Sequence, residues 1–287
     1  MPTDGVMRTA PAHSRLSGIL VAALCAFAGA NIASAQSLAA TPIDPSMDES
    51  KIPGPLGDAI RLGHRLATDT KTLVPDHVGN GLVCTSCHLD SGRRPHAAPW
   101  VGIWGVFPEY RSRSARVETL GDRINDCFVR SMNGSPMPLD DPRMRAMLSY
   151  MWWLSLKVPT GSDGPGRGFA ELAAWKLADA DAARGKALYA QKCVACHGDD
   201  GAGRKVAAAY VFPPLWGPDS FNIGAGMARI GNAAAFIRTN MPVGAENSLT
   251  EAEALDIAAY VTRQPRPDFP GKANDWPKGG APIDAPY

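Results

Sequence analysis

Two copies of one pentapeptide constrain this chain more than any other feature: Cys84-Thr85-Ser86-Cys87-His88 and Cys193-Val194-Ala195-Cys196-His197. In C-x-x-C-H the two thiols are spaced to form thioethers with the vinyl groups of one haem, and the adjacent imidazole can take an axial position on its iron. A redox dithiol or a zinc site also uses C-x-x-C, but neither asks for a following histidine twice over. The motifs therefore predict two covalently attached haem c groups, with Cys84, Cys87, Cys193 and Cys196 as attachment points and His88 and His197 as proximal ligands.

The order of elements around each motif repeats. An apolar-periodic segment with Arg61-Leu62-Gly63-His64 precedes the first, and Ala183-Arg184-Gly185-Lys186-Ala187-Leu188-Tyr189 precedes the second. Aromatic, Pro-containing stretches follow, with Trp100 and Trp104 in one half and Phe212 to Gly217 in the other; packing on haem planes is the expected use of such rings. Each half closes on another predicted helix. One is capped by Asp140-Asp141-Pro142, the other by a capping box at Thr250-Glu251-Ala252-Glu253. A duplicated unit follows, and the expected fold class is all-α: two tandem class I cytochrome c-like domains, loop-rich, joined by a Pro/Gly linker.

With 287 residues, 45% of them hydrophobic, the chain can build two cores. The expected boundaries are a signal peptide at 1–35, an extended mature N-terminus at 36–55, a first cytochrome domain at 56–158, a linker at 159–174, a second domain at 175–264 and a Pro-rich tail at 265–287, expected to wrap the surface. Arg8 and Arg15, the short apolar run Ile19 to Ala30 and Ala33-Ser34-Ala35 form the export signal, with cleavage after about Ala35 and a periplasmic location. That run is shorter than the roughly 18 apolar residues a span requires, so no stable membrane insertion is expected. A net charge of +1 gives no field for nucleic acid.

Five of the six cysteines lie beyond the leader, and the motifs consume four. Cys127 remains, flanked by Arg111, Arg113, Arg116, Arg123 and Arg130. Cationic neighbours stabilise a thiolate, the form that reacts and ligates iron. An inert packed thiol is the alternative, in which case Met137, followed by Pro138, could ligate the first haem. In the second half Met241, followed by Pro242, suits a thioether ligand, with Met227 as the alternative. Aligning Phe128-Val129-Arg130 with Phe236-Ile237-Arg238 sets Cys127 opposite Ala235, an added thiol in a shared frame. His64, His77 and His96 read as surface or structural.

The segments Arg123-Ile124-Asn125-Asp126-Cys127-Phe128, Arg130-Ser131-Met132-Asn133-Gly134, Phe212 to Asn222 and Gly224 to Met227, with the tail from Arg266, resemble the dihaem thiosulfate dehydrogenase family. That resemblance implies a periplasmic oxidoreductase that couples two thiosulfates into tetrathionate, with possible reversal, and passes electrons to an external acceptor such as a small cytochrome c. It also implies His88 and Cys127 on the first haem, which is the catalytic one, and His197 and Met241 on the second, which is the electron exit. Some members carry a lysine before the second haem's methionine; Asn240 stands there, so His/Met ligation in both oxidation states is expected. Joining two dianions needs cations, and Arg113 and Arg123, then Arg130 and Ser131, are the expected catalytic neighbours of Cys127. Competing readings are the cysteine-ligated cytochrome of the sulfur-oxidation complex, which acts on a carrier protein, and a dihaem electron carrier without catalysis.

Overall fold

The structure is a computed structural model and describes residues 44–287. The expected signal peptide lies outside the described residues, as does the start of the N-terminal extension. What is described of that extension is pinned down: Ile52 is buried, and Trp153 Nε1 donates to the Asp44 carbonyl at 3.1 Å.

Six helices of seven residues or more occur among the described residues: α1 (Gly54–Thr68), α2 (Leu120–Asp126), α3 (Pro142–Leu154), α4 (Ala182–Lys192), α5 (Ile230–Asn240) and α6 (Glu251–Thr262). Most of their starts are written locally; α5 is the exception, its Gly231 N–H donating to Asp284 Oδ2 at 2.9 Å. Pro55 and Pro142 occupy first-turn positions, where a missing N–H costs nothing. Asp141 and Asp181 accept from first-turn amides, and the Thr250/Glu253 capping box opens α6. Two short antiparallel hairpins, β1 (Glu109–Arg111) with β2 (Arg116–Glu118) and β3 (Arg204–Val206) with β4 (Ala209–Phe212), add a little strand to the expected all-helical pattern. Both lie in loops after the C-x-x-C-H motifs.

In each half the helix before the motif crosses the closing helix at a glycine. A Cβ on Gly63 of α1 would sit 2.1 Å from the Ala146 carbonyl oxygen of α3, and one on Gly185 of α4 would sit 1.9 Å from the Asp256 oxygen of α6. Backbone, unlike a side-chain tip, cannot step aside. Gly185→Ala and Gly63→Ala should therefore each lower stability by about 2 kcal/mol or more, although alanine in a helix interior is favoured over glycine by about 1 kcal/mol. Denaturant midpoints equal to the parent's would show that the helices can slide apart.

One core gathers α1, α3 and the Cys127 segment around Ile60, Leu66, Phe128, Met144 and Trp153. In the second half, Ala234, Leu255 and Ala258 lie between α5 and α6, while Tyr189, Ile257 and Val261 pack near Cys193. The halves form one compact body, joined by buried amides. Asn80 Nδ2 donates to the Ser131 and Ser220 carbonyls at 2.8 and 3.1 Å, and Asn222 Nδ2 to Val129 O at 2.9 Å.

Candidate active site

Immediately after α2 the backbone widens into one π-helical turn, Cys127–Ser131, closed by Met132 N donating to Cys127 O at 2.9 Å. Such turns are rare and often sit at functional sites. This one sets Cys127, Arg130 and Ser131 on the wall of a cavity of about 630 Å³ whose lining also includes Cys84, Cys87 and His88. Met137 is not on that wall. It is buried in the core, its backbone held by Asn125 through bonds of 2.7 and 2.8 Å. Met227, weighed as a ligand in the second half, lines the first half's cavity instead.

His88 Nδ1 faces the Ala98 carbonyl at 2.6 Å, and His197 Nδ1 faces the Pro213 carbonyl at 3.0 Å. A carbonyl only accepts, so each Nδ1 carries the proton and each Nε2 keeps its lone pair for a metal. Burial pulls His88 down to about 4 and lowers His197 as well, keeping both rings neutral, the form that ligates. Among the described residues none of the five cysteines is in a disulfide; burial raises the thiols of Cys84 and Cys193 to about 11 and Cys87 to about 12. Free paired thiols, a neutral imidazole and a roomy cavity between them and Cys127 fit a covalent haem at the first site. At the second, the last turn of α5 places Met241, whose N–H donates to Ile237 O at 3.0 Å. Asn240 before it is buried and turned toward the other half, its Nδ2 3.3 Å from the His96 carbonyl.

The arginines separate sharply. Of the five near Cys127 in sequence, Arg123 alone reaches it: Nη1 lies 3.0 Å from Sγ, and the neighbouring sulfur holds the guanidinium above its ordinary pKa. Arg123 has no carboxylate within salt-bridge distance among the described residues. Arg111 pairs with Glu109 at 2.7 Å, and Arg116 pairs weakly with Glu118 at 3.4 Å. Arg113 and Arg130 line the cavity but share one carboxylate, Asp275 of the tail: Arg113 Nε at 2.7 Å, Arg130 Nη2 and Nη1 at 2.7 and 2.8 Å. The tail thus does more than wrap the surface. Trp276 and Pro282 line the cavity, Arg113 stacks on Trp276 at 4.8 Å, and buried Asp284 takes up Arg229, another cavity arginine, at 2.8 Å.

Sequence reading missed Asp275, Trp276, Arg167 and Arg229, since no local signal ties a Pro-rich tail or a linker to the cavity. The aromatic expectation holds for Trp100, which lines the cavity beside His88 at 4.8 Å between ring centres. Trp104 is instead exposed, and Trp216 packs on Tyr189 and Tyr260. His64 bridges Glu49 and Ser91, and His77 lies against Ser135 and Arg143, so both have structural partners.

Asp275 is buried, which pushes its carboxyl up, but hydrogen bonds from Arg130, Tyr287 and Arg113 outweigh that and hold it below 3.8. Stability from this latch is complete above pH 3.8 and is lost as pH falls through the lowered folded value. Asp275→Ala leaves two guanidiniums without their shared partner and should cost about 3 kcal/mol. Faster amide exchange across 272–287 checks it; unchanged exchange would mean that packing alone holds the tail.

Two family models match the chain: the SoxA/TsdA cytochrome c domain over 76–160, and cytochrome c oxidase, cbb3-type, subunit III over 180–261. Fold and site together define a dihaem c-type cytochrome, two cytochrome c domains carrying two covalent haem c groups. Among curated relatives, thiosulfate dehydrogenase of Allochromatium vinosum is 47% identical over 227 residues, covering 77% of this chain and 83% of that one. The thiosulfate dehydrogenase of Stutzerimonas stutzeri is 44% identical over 214 residues, covering 75% and 69%. The chain belongs to the thiosulfate dehydrogenase family. A solved structure of thiosulfate dehydrogenase (TsdBA) from Marichromatium purpuratum superposes with a TM-score of 0.75 at 42% identity; it covers 79% of this chain, which spans half of that one.

Proposed function

We propose that this chain oxidises two thiosulfates to tetrathionate at Cys127 and delivers the two electrons to an external acceptor. The observation that carries the reading is the Cys127 sulfur, held by Arg123 on the wall of the cavity that also presents Cys84, Cys87 and His88. In this reading Cys84, Cys87, His88 and Cys127 would hold the first haem, and Cys193, Cys196, His197 and Met241 would hold the second. The bound haems supply one-electron acceptance in two steps and an exit path to an acceptor such as a small cytochrome c.

The terminal sulfur of one thiosulfate bonds to the Cys127 thiolate; two electrons leave, and the product is Cys–S–S–SO₃⁻. A second thiosulfate attacks the sulfur bearing the sulfonate, breaks its bond to Cys127, and leaves as tetrathionate with the thiolate restored. No proton is consumed. Two dianions about 5 Å apart repel by roughly 3 kcal/mol even in bulk water, and Arg123, which has no carboxylate within salt-bridge distance among the described residues, offsets that at the reacting sulfur. Arg113 and Arg130, both paired with Asp275, line the cavity farther from the sulfur, with Ser131 as a further donor beside it. The Asn240 tether favours an unchanging His197/Met241 pair. A periplasmic site of action agrees with the haem chemistry and the leader; among the described residues no helix is long and apolar enough to cross a membrane.

Purified protein given only thiosulfate and ferricyanide should form one tetrathionate for every two ferricyanides reduced. No turnover until a sulfur-carrier protein is added would overturn the reading in favour of the sulfur-oxidation type.

A further inference from the structure

Arg266 has no role in the site above, yet its burial demands a partner. Nη2 donates to the Val261 carbonyl at 2.7 Å, and the guanidinium lies over the Phe221 ring at 4.3 Å. Nε and Nη1 are buried with no acceptor among the described residues. The side chain cannot easily swing out, because the chain on both sides is fastened: Gly217 N donates to Pro265 O at 2.9 Å and Ile223 N to Pro267 O at 3.0 Å. Burial lowers its pKa to about 10, so it is still a cation at neutral pH. A buried cation with two empty donors is strongly unfavourable unless an anion completes it.

The surroundings indicate which anion. Arg266 is absent from the lining of the Cys127 cavity, so thiosulfate bound there is not its partner. Its carbonyl anchor Val261 packs in one cluster with Cys193, Leu215 and Ile237, the residues around the second haem-attachment motif and the turn before Met241. Every covalent haem c brings two propionates into the fold, and a buried propionate needs donors as much as Arg266 needs an acceptor. We propose that Arg266 binds a propionate of the second haem through Nε and Nη1, and that its charge helps set that haem's potential. A fixed cation beside a haem stabilises the electron-rich ferrous state, which raises the potential of the group that hands electrons out.

The test uses the full-length dihaem protein with Arg266→Gln and Arg266→Lys, followed by spectroelectrochemical titration of both haems. Arg266→Gln should lower the second haem's potential, with about a tenfold smaller ferrous-to-ferric ratio at a fixed applied potential, or about 59 mV for one electron. The first haem should not move, and Arg266→Lys should restore most of the shift because it keeps the charge. Should Arg266→Gln fail to fold or take up haem, the lysine variant decides through resonance Raman. The propionate bending band of the second haem should then move, since lysine replaces a two-donor contact by a point charge. Potentials unchanged in both variants, movement confined to the first haem, or an unaltered band in the lysine variant would overturn the proposal.

Discussion

Cys127→Ala is expected to cut turnover of thiosulfate with ferricyanide by at least about 10³-fold, as loss of a covalent nucleophile does, while both haems stay attached. The substitution touches none of Cys84, Cys87, Cys193 and Cys196, the attachment points proposed above. The first haem's absorption spectrum should change and the second's should not, because Cys127 shares its cavity with His88 and not with His197. Alanine is a mild change here: the position is half-buried and ends a capped helix, so folding should survive. A variant with the parent's spectrum and activity would leave Cys127 a packing residue and the chain an electron conduit. Met137 is poorly placed to rescue that alternative, since its backbone is locked by Asn125 away from the cavity.

The second large effect is expected at Arg123. Arg123→Gln removes the one cavity guanidinium that contacts Cys127 and that has no carboxylate within salt-bridge distance among the described residues. A hydrogen bond to a charged group is worth up to about 3 kcal/mol, which predicts a loss of about 100-fold in kcat/KM. Arg123→Lys should recover part of it, keeping the charge without the planar fork. In Arg113→Gln the loss should be smaller, because Arg113 already spends its charge on Asp275. Steady-state kinetics of the three variants at one ionic strength checks the order. Equal losses at Arg113 and Arg123 would mean that substrate displaces Asp275 from its pair, and the distinction drawn between the two arginines would fail.

Much of this was legible before any coordinates. The C-x-x-C-H copies, the capping residues at Asp141 and Thr250, and the paired Gly63 and Gly185 are local signals, and α3 and α6 start where their own residues satisfy their first amides. Cys127 stood out by subtraction. The arginines could not be sorted that way. Five of them surround Cys127 in sequence, but chain proximity says nothing about which already has a counter-charge. The Asp275 that occupies Arg130 and Arg113 lies 145 and 162 residues away.

The sequence by itself determined two haem-attachment units, their helical frame and the odd thiol, because thioether spacing, capping and helical periodicity act over a few residues. Only the tertiary structure decided that Cys127 and not Met137 faces the first cavity, that Met227 belongs to that cavity too, and that of the five arginines Arg123 alone reaches the sulfur. Those outcomes depend on how a π-turn aims its side chains and on where a distant tail sets its carboxylates. Ion pairing over such separations is decided by packing, which no local pattern of residues encodes.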